Sequence, residues 1–237
     1  MTRNITLSVF FPAYYDENNI SKVVDNAVRV LNQIDIKDYE ITIIEDGSPD
    51  KTGQVADELA GKYEKVKIIH HQKNMGYGAT LYEGFRNAKF DYVFYTDGDN
   101  QFDLEELKKF VALIPFSDIV IGYRKKKQYS LYRKITSITY NFALRWLFGI
   151  DYIDIDCAFK LFKRDLFDKI TIKTKDAFID AEIMIKAKRL GYTTTELGVK
   201  HLPRMDGVST AARPSIILRT IREIYNLKKE FRKEKNG

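Results

Sequence analysis

From residue 5 to residue 99 the chain alternates between two hydrophobic rhythms. Short β-rich apolar runs (ITLSVFFPA, YEITIIEDGS, VKIIHH, DYVFYTDGD) are separated by stretches with helical periodicity (SKVVDNAVRVLNQI, DKTGQVADELAGKY, GATLYEGFRNA). The apolar runs are too short and too uniformly hydrophobic for surface strands, and each helical stretch has a face to bury. The order βαβαβαβ therefore predicts an α/β domain whose mostly parallel central sheet is flanked by helices. In such sheets ligands gather at the C-terminal ends of the strands, where PAYYDE, EDGS and DGD all fall.

The second half is less regular. LEELKKFVALI reads as a helix and SDIVIGYR as a strand; a basic loop, RKKKQYSLYRK, leads into a helical segment from Ile135 to Phe148. DIDCAFKLFKRDLF carries no clear element. A helix (DAEIMIKAKRLGY), a strand (TTTELGVKHLPR) and an amphipathic segment (SIILRTIREIYNLKKEFRK) follow. With no internal repeat and no low-complexity linker, the simplest division is one domain over residues 1–212 and a basic amphipathic helical tail over 213–237.

Composition excludes several classes. The single cysteine, Cys157, rules out an internal disulfide framework and a cysteine-based zinc site, and it fits a reducing, cytoplasmic setting. MTRNITLSVFFPAYY reads as a first strand rather than a signal peptide, and no uncharged apolar run approaches the roughly 18 residues of a membrane span. A soluble or peripheral protein is expected. Charge is uneven: residues 1–120 hold 13 Lys and Arg against 20 Asp and Glu, whereas residues 121–237 hold 26 against 13. That asymmetry suggests a metal-binding or otherwise acid-lined first half and a second half facing an anion or an anionic surface; two differently decorated solvated faces are the plainer explanation.

Asp97 and Asp99 end the apolar run YVFY, so both can turn out of a strand end toward a shared cation. Such oxygen donors suit Mg²⁺ or Mn²⁺, and Gln101 can add a neutral oxygen. An ordinary Asp-Gly turn is the alternative. Glu45 and Asp46 end another strand, where carboxylates can accept hydrogen bonds from ribose hydroxyls or a base N–H; Ser48 and Asp50 can cap the next helix. NMGYGATLYEG is glycine-rich, but Leu81 breaks the GxGxxG pattern, which disfavours a plain dinucleotide site. Gly76 and Gly78 then serve a tight turn into a helix.

Together and in this order, PAYYDENN, EDGSPDKTG, KNMGYGATLYEG and DGDNQFD resemble the inverting glycosyltransferases of family 2, with the GT-A fold. The match spans most of the chain. EDGSPD, the DxDxQ form of the metal motif and HLPRMDGVS, similar to an Arg-x-x-Gly-x-Ser segment, are closest to the polyprenyl-phosphate hexosyltransferases within that family. The resemblance implies that Pro12, Ala13, Tyr14 and Glu17 line a nucleotide, with Asp46 and Glu45 near base and ribose. It implies that Asp97, Asp99 and Gln101 hold the metal and diphosphate. Arg124, Arg133 and Ser137 would receive an acceptor phosphate, and Arg204 would contact phosphate near the reaction centre. Two departures stand out: the acidic pair reads Glu45-Asp46, and Asp156-Cys157-Ala158-Phe159 stands where small residues and glycine are common.

The implied donor is a nucleotide sugar of GDP-mannose or UDP-glucose type, and the implied acceptor a polyprenyl phosphate. If the acceptor is instead a sugar or glycolipid hydroxyl, a base is required, and Asp156 is the first candidate, with Asp180 and Glu182 behind it. Asp180 and Glu182 also read as a helix N-terminal acidic pair. A lipid acceptor demands membrane contact. Ile135–Phe148 and the tail from Ser215, with Ile217, Leu218, Ile221, Ile224 and Tyr225 at helical spacing, are the segments that can lie on an anionic inner membrane face. RKKKQYSLYRK also admits nucleic-acid binding, but that leaves the acidic strand ends unexplained, so no nucleic-acid partner is expected. A sugar nucleotidyltransferase would share the sheet and the metal, yet its N-terminal glycine-rich loop is missing at PAYYDENN. Oligomeric state is open.

Overall fold

The computed structural model describes residues 4–125, 131–203 and 214–236. Its first half follows the expected alternation: β1 (Thr6–Ala13), α1 (Ile20–Leu31), β2 (Asp38–Glu45), α2 (Thr52–Lys62), β3 (Val66–His70), α3 (Tyr77–Asn87) and β4 (Tyr92–Thr96). A 3₁₀ turn (Leu104–Glu106) precedes α4 (Leu107–Leu113), β5 (Ile119–Arg124), α5 (Leu131–Phe148), β6 (Phe159–Lys163), α6 (Asp165–Lys169), α7 (Ile179–Arg189), β7 (Thr194–Val199) and α8 (Pro214–Asn236). The domain boundary expected at 212/213 lies outside the described residues.

The seven strands lie in the order β3-β2-β1-β4-β6-β5-β7, and every pairing is parallel except the two made by β6. Chain order reverses between β1 and β4, because β1 continues outward to β2 and β3 while β4 opens the other side. This switch point leaves a crevice beyond the carboxyl ends of the two strands. β6 was not legible in the sequence. Phe159, Leu161 and Phe162 are core residues, but Lys160 is wholly buried among them and breaks the apolar run by which the other strands are recognised.

The helices are held by apolar faces. α1 buries Ile20, Val23, Val24, Ala27, Val30 and Leu31, the i, i+3, i+4, i+7 pattern that makes it fold against the sheet. Each of the isoleucine, valine and leucine side chains contributes about 1.5–3 kcal/mol relative to exposure. On α3, Phe85 meets Phe10 and Tyr95 edge-on, with ring centroids 5.0 and 5.5 Å away, and stacks on Phe167 at 4.2 Å. This aromatic layer anchors the C-terminal part of α3 on the sheet, with its start at Tyr77 at the other end of the helix. Among the described residues, no helix is long and apolar enough to cross a membrane.

Candidate active site

Three loops meet at the crevice, and their own side chains tie them together. After β1 the chain turns at Tyr15, whose φ is 59°. Tyr14 N donates to Asp16 Oδ2 at 3.0 Å, Tyr15 N to Ser48 Oγ at 2.9 Å, and Asp16 N to Thr52 Oγ1 at 2.9 Å. The PAYYD loop is thus pinned to the loop after β2. Asp50 organises that second loop, accepting from Ser48 Oγ at 2.6 Å and from both Thr52 N and Oγ1. Burial works against its charge, but these hydrogen bonds hold its carboxyl below the usual range. Glu17 accepts from Lys51 N at 2.9 Å.

Glu45 and Asp46 are both buried. Glu45 Oε1 accepts from Ser48 N and its Oε2 shares a hydrogen bond with His70 Nδ1 at 3.0 Å. Asp46 Oδ1 accepts from Met75 N at 2.8 Å and pairs with His71 Nδ1 at 2.7 Å, while Oδ2 accepts from Gly76 N at 2.9 Å. A carboxylate oxygen takes two hydrogen bonds, so Oδ1 is full and Oδ2 retains one position. Asp46 therefore holds the glycine turn at the head of α3, where Gly76 sits at φ 91°, and has little capacity left for a ligand.

Asp97 and Asp99 leave the end of β4 into the switch-point crevice. Gly98 N donates to Pro12 O at 3.2 Å, and a Cβ on Gly98 would lie 2.9 Å from that oxygen and 3.5 Å from Asp16 Oδ2. Only glycine lets the two strand ends approach so closely. The result is a cluster of carboxylates in a half-buried place. Burial first, and then the Asp99 carboxylate, push Asp97 up to about 8; Asp180 and Asp16 act in the same direction, against a 3.1 Å hydrogen bond donated by Tyr77 Oη. Asp99 Oδ1 accepts from Gln101 N at 3.1 Å.

The mutual repulsion of these crowded carboxylates is what a hard dication would relieve. Among the described residues no three His, Cys, Asp or Glu side chains converge to enclose a metal. Two carboxylates completed by substrate phosphates are the ordinary Mg²⁺ arrangement, and the donor set fits that arrangement. Gln101 is engaged with the other side of the site: its Nε2 donates to Leu202 O at 3.2 Å, and Leu202 N donates to Gln101 O at 2.7 Å. Phe102 bridges to His201 and packs on its ring at 5.0 Å. His201 therefore packs on Phe102, just past the Asp-Gly-Asp turn. Arg204 itself lies outside the described residues.

Across the crevice, Asp156 sits within a tight turn closed by Cys157 N, which donates to Asp154 O at 3.0 Å. Protein crowds Asp156 and pushes its carboxyl up to about 6, mainly by burial and then by repulsion from Asp180. The side chain is nevertheless exposed at the surface, so water reaches the carboxylate. Cys157 is buried, as its size suggests, and burial raises its thiol to about 12.

The two reserve bases are corrected by the structure. Asp180 is buried and accepts from Lys160 Nζ at 2.7 Å and from Tyr95 Oη. Glu182 is buried, accepts from Thr174 N at 2.8 Å and Lys186 Nζ at 2.6 Å, and so clamps the 173–174 loop. Neither is free to take a substrate proton. Arg124 closes a bidentate fork on buried Asp154, at 2.7 and 2.8 Å. Arg133 and Ser137 lie on α5, and their side chains are outside the described residues. Sequence reasoning missed Asp16, Tyr77 and Lys160. Asp16 was legible as an acid just past a strand end; Tyr77 and Lys160 carry no local signal.

An α/β sheet of this order, with an Asp-Gly-Asp at its switch point, defines the GT-A class. Solved structures agree in fold: mannosyl-3-phosphoglycerate synthase from Rubrobacter xylanophilus superposes with a TM-score of 0.72 over 96% of this chain and 75% of its own, at 17% identity. Glucosyl-3-phosphoglycerate synthase from Mycobacterium tuberculosis, solved with Mn²⁺, UDP-glucose and phosphoglyceric acid, gives 0.72 over 94% of this chain and 80% of its own, at 16% identity. Residues 8–171 match the family described as "Glycosyl transferase family 2", and the chain belongs to that family. Its sequence is 31% identical to a dolichyl-phosphate β-glucosyltransferase, ALG5A, from Trichomonas vaginalis, over 83% of this chain and 66% of the relative. It is 28% identical to an undecaprenyl-phosphate 4-deoxy-4-formamido-L-arabinose transferase from Pectobacterium carotovorum, over 93% and 66%. Against glycosyltransferase AglD from Haloferax volcanii it is 28% identical over 85% and 34%. The chain thus spans from a third to just under two thirds of these relatives' lengths.

Proposed function

We propose that this chain is a metal-dependent inverting glycosyltransferase that moves a hexose from a nucleotide sugar to a polyprenyl phosphate at the cytoplasmic face of a membrane. The observation that carries the reading is the Asp97-Gly98-Asp99 turn packed on the Pro12 carbonyl at the switch point. The names of the dolichyl- and undecaprenyl-phosphate relatives support the acceptor class.

Asp97 and Asp99, with Gln101 beside them, would hold Mg²⁺ or Mn²⁺. When bound, the cation supplies neutralisation of the charge that collects on the departing diphosphate. Pro12, Ala13 and Tyr14 form the wall on which the nucleotide rests, and Tyr14 and Tyr15 present two rings 4.7 Å apart, edge to face, at its rim. Glu17, Glu45 and Asp46 brace that wall through the loop contacts described above. An acceptor phosphate oxygen attacks the anomeric carbon as the bond to the diphosphate breaks on the opposite side, so configuration inverts. A phosphate monoester has a second pKa of about 6 and needs no strong base at neutral pH. The protein's task is alignment and charge neutralisation, for which Arg124, Arg133, Ser137 and Arg204 are the assigned acceptor-side groups.

A second reading has its own observation. Asp156 is exposed to the crevice and shifted toward neutrality, the condition of a general base for a sugar or glycolipid hydroxyl. One assay separates the two: radiolabelled sugar from a panel of nucleotide sugars is offered with polyprenyl phosphate and Mg²⁺ or Mn²⁺, and organic-extractable label is counted. Metal-dependent labelled lipid, abolished by Asp99→Ala in a protein that keeps its circular dichroism, is the expected result. Donor hydrolysis without lipid product would discard the lipid acceptor and favour Asp156 as base. Full turnover of Asp99→Ala at saturating metal would refute the metal role.

A further inference from the structure

A buried line of polar groups passes beneath the crevice and joins its two walls. Tyr95 and Asp97 stand two positions apart at the end of β4, so their side chains take the same face of the sheet. On that face Tyr77, from the head of α3, donates to Asp97 Oδ1 at 3.1 Å and adjoins the Tyr95 hydroxyl. In the β4–β6 ladder Tyr95 lies directly opposite Lys160, and this register brings Lys160 Nζ to 3.1 Å from Tyr95 Oη. The first turn of α7 supplies Asp180, which accepts from Tyr95 Oη and, at 2.7 Å, from Lys160 Nζ. The third Lys160 hydrogen goes to the Cys157 carbonyl at 2.7 Å, so every donor of the ammonium is used. Cys157 belongs to the turn that carries Asp156, and Asp154 in the same turn grips Arg124 at 2.7 and 2.8 Å.

Stability alone does not account for this arrangement. Desolvating an ion pair offsets most of the attraction between its charges, and well-packed apolar side chains of similar volume hold such a position at least as firmly. What a buried, hydrogen-bonded network adds is a single geometry, because each donor and acceptor is satisfied in only one arrangement of its neighbours. The network is also placed between the two walls. Asp180 acts on Asp97 on the donor side and on Asp156 on the acceptor side, so it lies near both carboxylates at once.

We infer that Tyr77, Tyr95, Asp180 and Lys160 are positioning residues for transfer, which hold the metal-motif carboxylate Asp97 and the acceptor-side turn of Asp156 in one register. An in-line displacement needs the donor's anomeric carbon and the attacking oxygen aligned, and small misplacements are costly in rate. A line tied to Asp97 at one end and to the 154–157 turn at the other fixes that alignment from below, without touching substrate. The task of these residues rests on the metal-dependent glycosyltransferase reading, whereas the line of hydrogen bonds does not.

Tyr95→Phe tests the centre of the line, because it keeps the ring contacts with Phe10 and Phe85 and removes only the hydroxyl. Mn²⁺ binding in the presence of UDP or GDP is read by electron paramagnetic resonance. Transfer to polyprenyl phosphate is resolved into kcat and acceptor KM, and thermal melts report on the fold. Tyr95→Phe should weaken Mn²⁺ binding and lower kcat, each by about tenfold, in a protein still folded at the assay temperature. Tyr77→Phe/Tyr95→Phe should bind Mn²⁺ no more weakly than the weaker single variant, because both changes cut the same line. Lys160→Met/Asp180→Leu should regain stability relative to its single changes, yet its Mn²⁺ binding should stay about tenfold weak and its acceptor KM should rise, since both ends are released. Mn²⁺ binding and kcat that stay at wild-type values while only the melting midpoint falls would overturn the positioning role and leave a structural one. Losses that multiply in the tyrosine double variant would overturn it as well. A wild type that neither binds Mn²⁺ with a nucleoside diphosphate nor transfers sugar would bring down the glycosyltransferase reading and the positioning role together, whereas an active wild type with unaffected variants brings down the positioning role alone.

Discussion

Lys160 has no solvent exposure, and its ammonium is held by Asp180 Oδ1 at 2.7 Å, the Cys157 carbonyl at 2.7 Å and Tyr95 Oη at 3.1 Å. Lys160→Met keeps the length of the side chain but leaves Asp180 as a buried carboxylate whose remaining donor is the Tyr95 hydroxyl. Breaking one side of such a pair costs about 3–5 kcal/mol, a large share of the roughly 5–15 kcal/mol that holds a domain together. At about 2–4 °C per kcal/mol for a chain of this size, the melting midpoint should fall by roughly 6–20 °C. Lys160→Met/Asp180→Leu removes both charges at similar volume. It should recover at least about 2 kcal/mol against the sum of the single changes. Full recovery is not expected, because the Tyr95 hydroxyl then loses Lys160 and Asp180 and keeps only Tyr77 as a neighbour, a residual of about 1–3 kcal/mol that Tyr95→Phe should reduce. Guanidinium denaturation followed by far-ultraviolet circular dichroism measures the wild type, Lys160→Met, Asp180→Leu, the double variant and its Tyr95→Phe derivative; Trp146 is too exposed to report on the core. A loss under about 1 kcal/mol for Lys160→Met, or strict additivity in the double variant, would refute the account of β6 as a strand held by a buried ion pair.

Tyr77→Phe removes the hydroxyl that orients Asp97 and should weaken Mn²⁺ binding in the presence of nucleoside diphosphate by about tenfold, read by electron paramagnetic resonance; an unchanged affinity would deny Tyr77 any orienting role. Gly98→Ala places a methyl 2.9 Å from the Pro12 carbonyl and should cost about 1–3 kcal/mol, with a lowered midpoint in thermal melts. Glu40 is buried; burial opposes its charge, but Lys67, Ser8 and Lys89 N hold its carboxyl below the ordinary 4.5. Its unfolded form therefore binds a proton first, so its contribution is present above pH 4.5 and is lost as pH falls through the lower folded value. Glu40→Gln should flatten the acid limb of stability against pH, and an acid limb of unchanged steepness would contradict the assignment.

The strand-end carboxylates were legible because their cause is local. A run such as YVFY must lie in the sheet, and Asp-Gly-Asp must leave it, so the position of Asp97 and Asp99 follows from patterning within ten residues. The roles of Glu45 and Asp46 were less legible. Both sit at a strand end as expected, yet their oxygens are taken by Ser48, His70, His71, Met75 and Gly76, and whether a carboxylate faces ligand or loop depends on where the next loop passes.

Local pattern and ordered motifs were enough for the α/β class, the element sequence of the first half and the crevice end of the sheet, because burial of apolar faces leaves few ways to arrange βαβ units. Strand order was not available at that level. It took the reversed β6 between β4 and β5 to set Lys160 against Asp180, and the passage of residues 200–202 beside 101–103 to bring His201 to the segment after the Asp-Gly-Asp turn. Likewise α5 and α8 are each amphipathic in sequence, but only the fold sets Lys228 over the Trp146 ring and Phe148 against Phe231. Contacts between residues some eighty positions apart arise from how whole elements pack, and no window of sequence contains them.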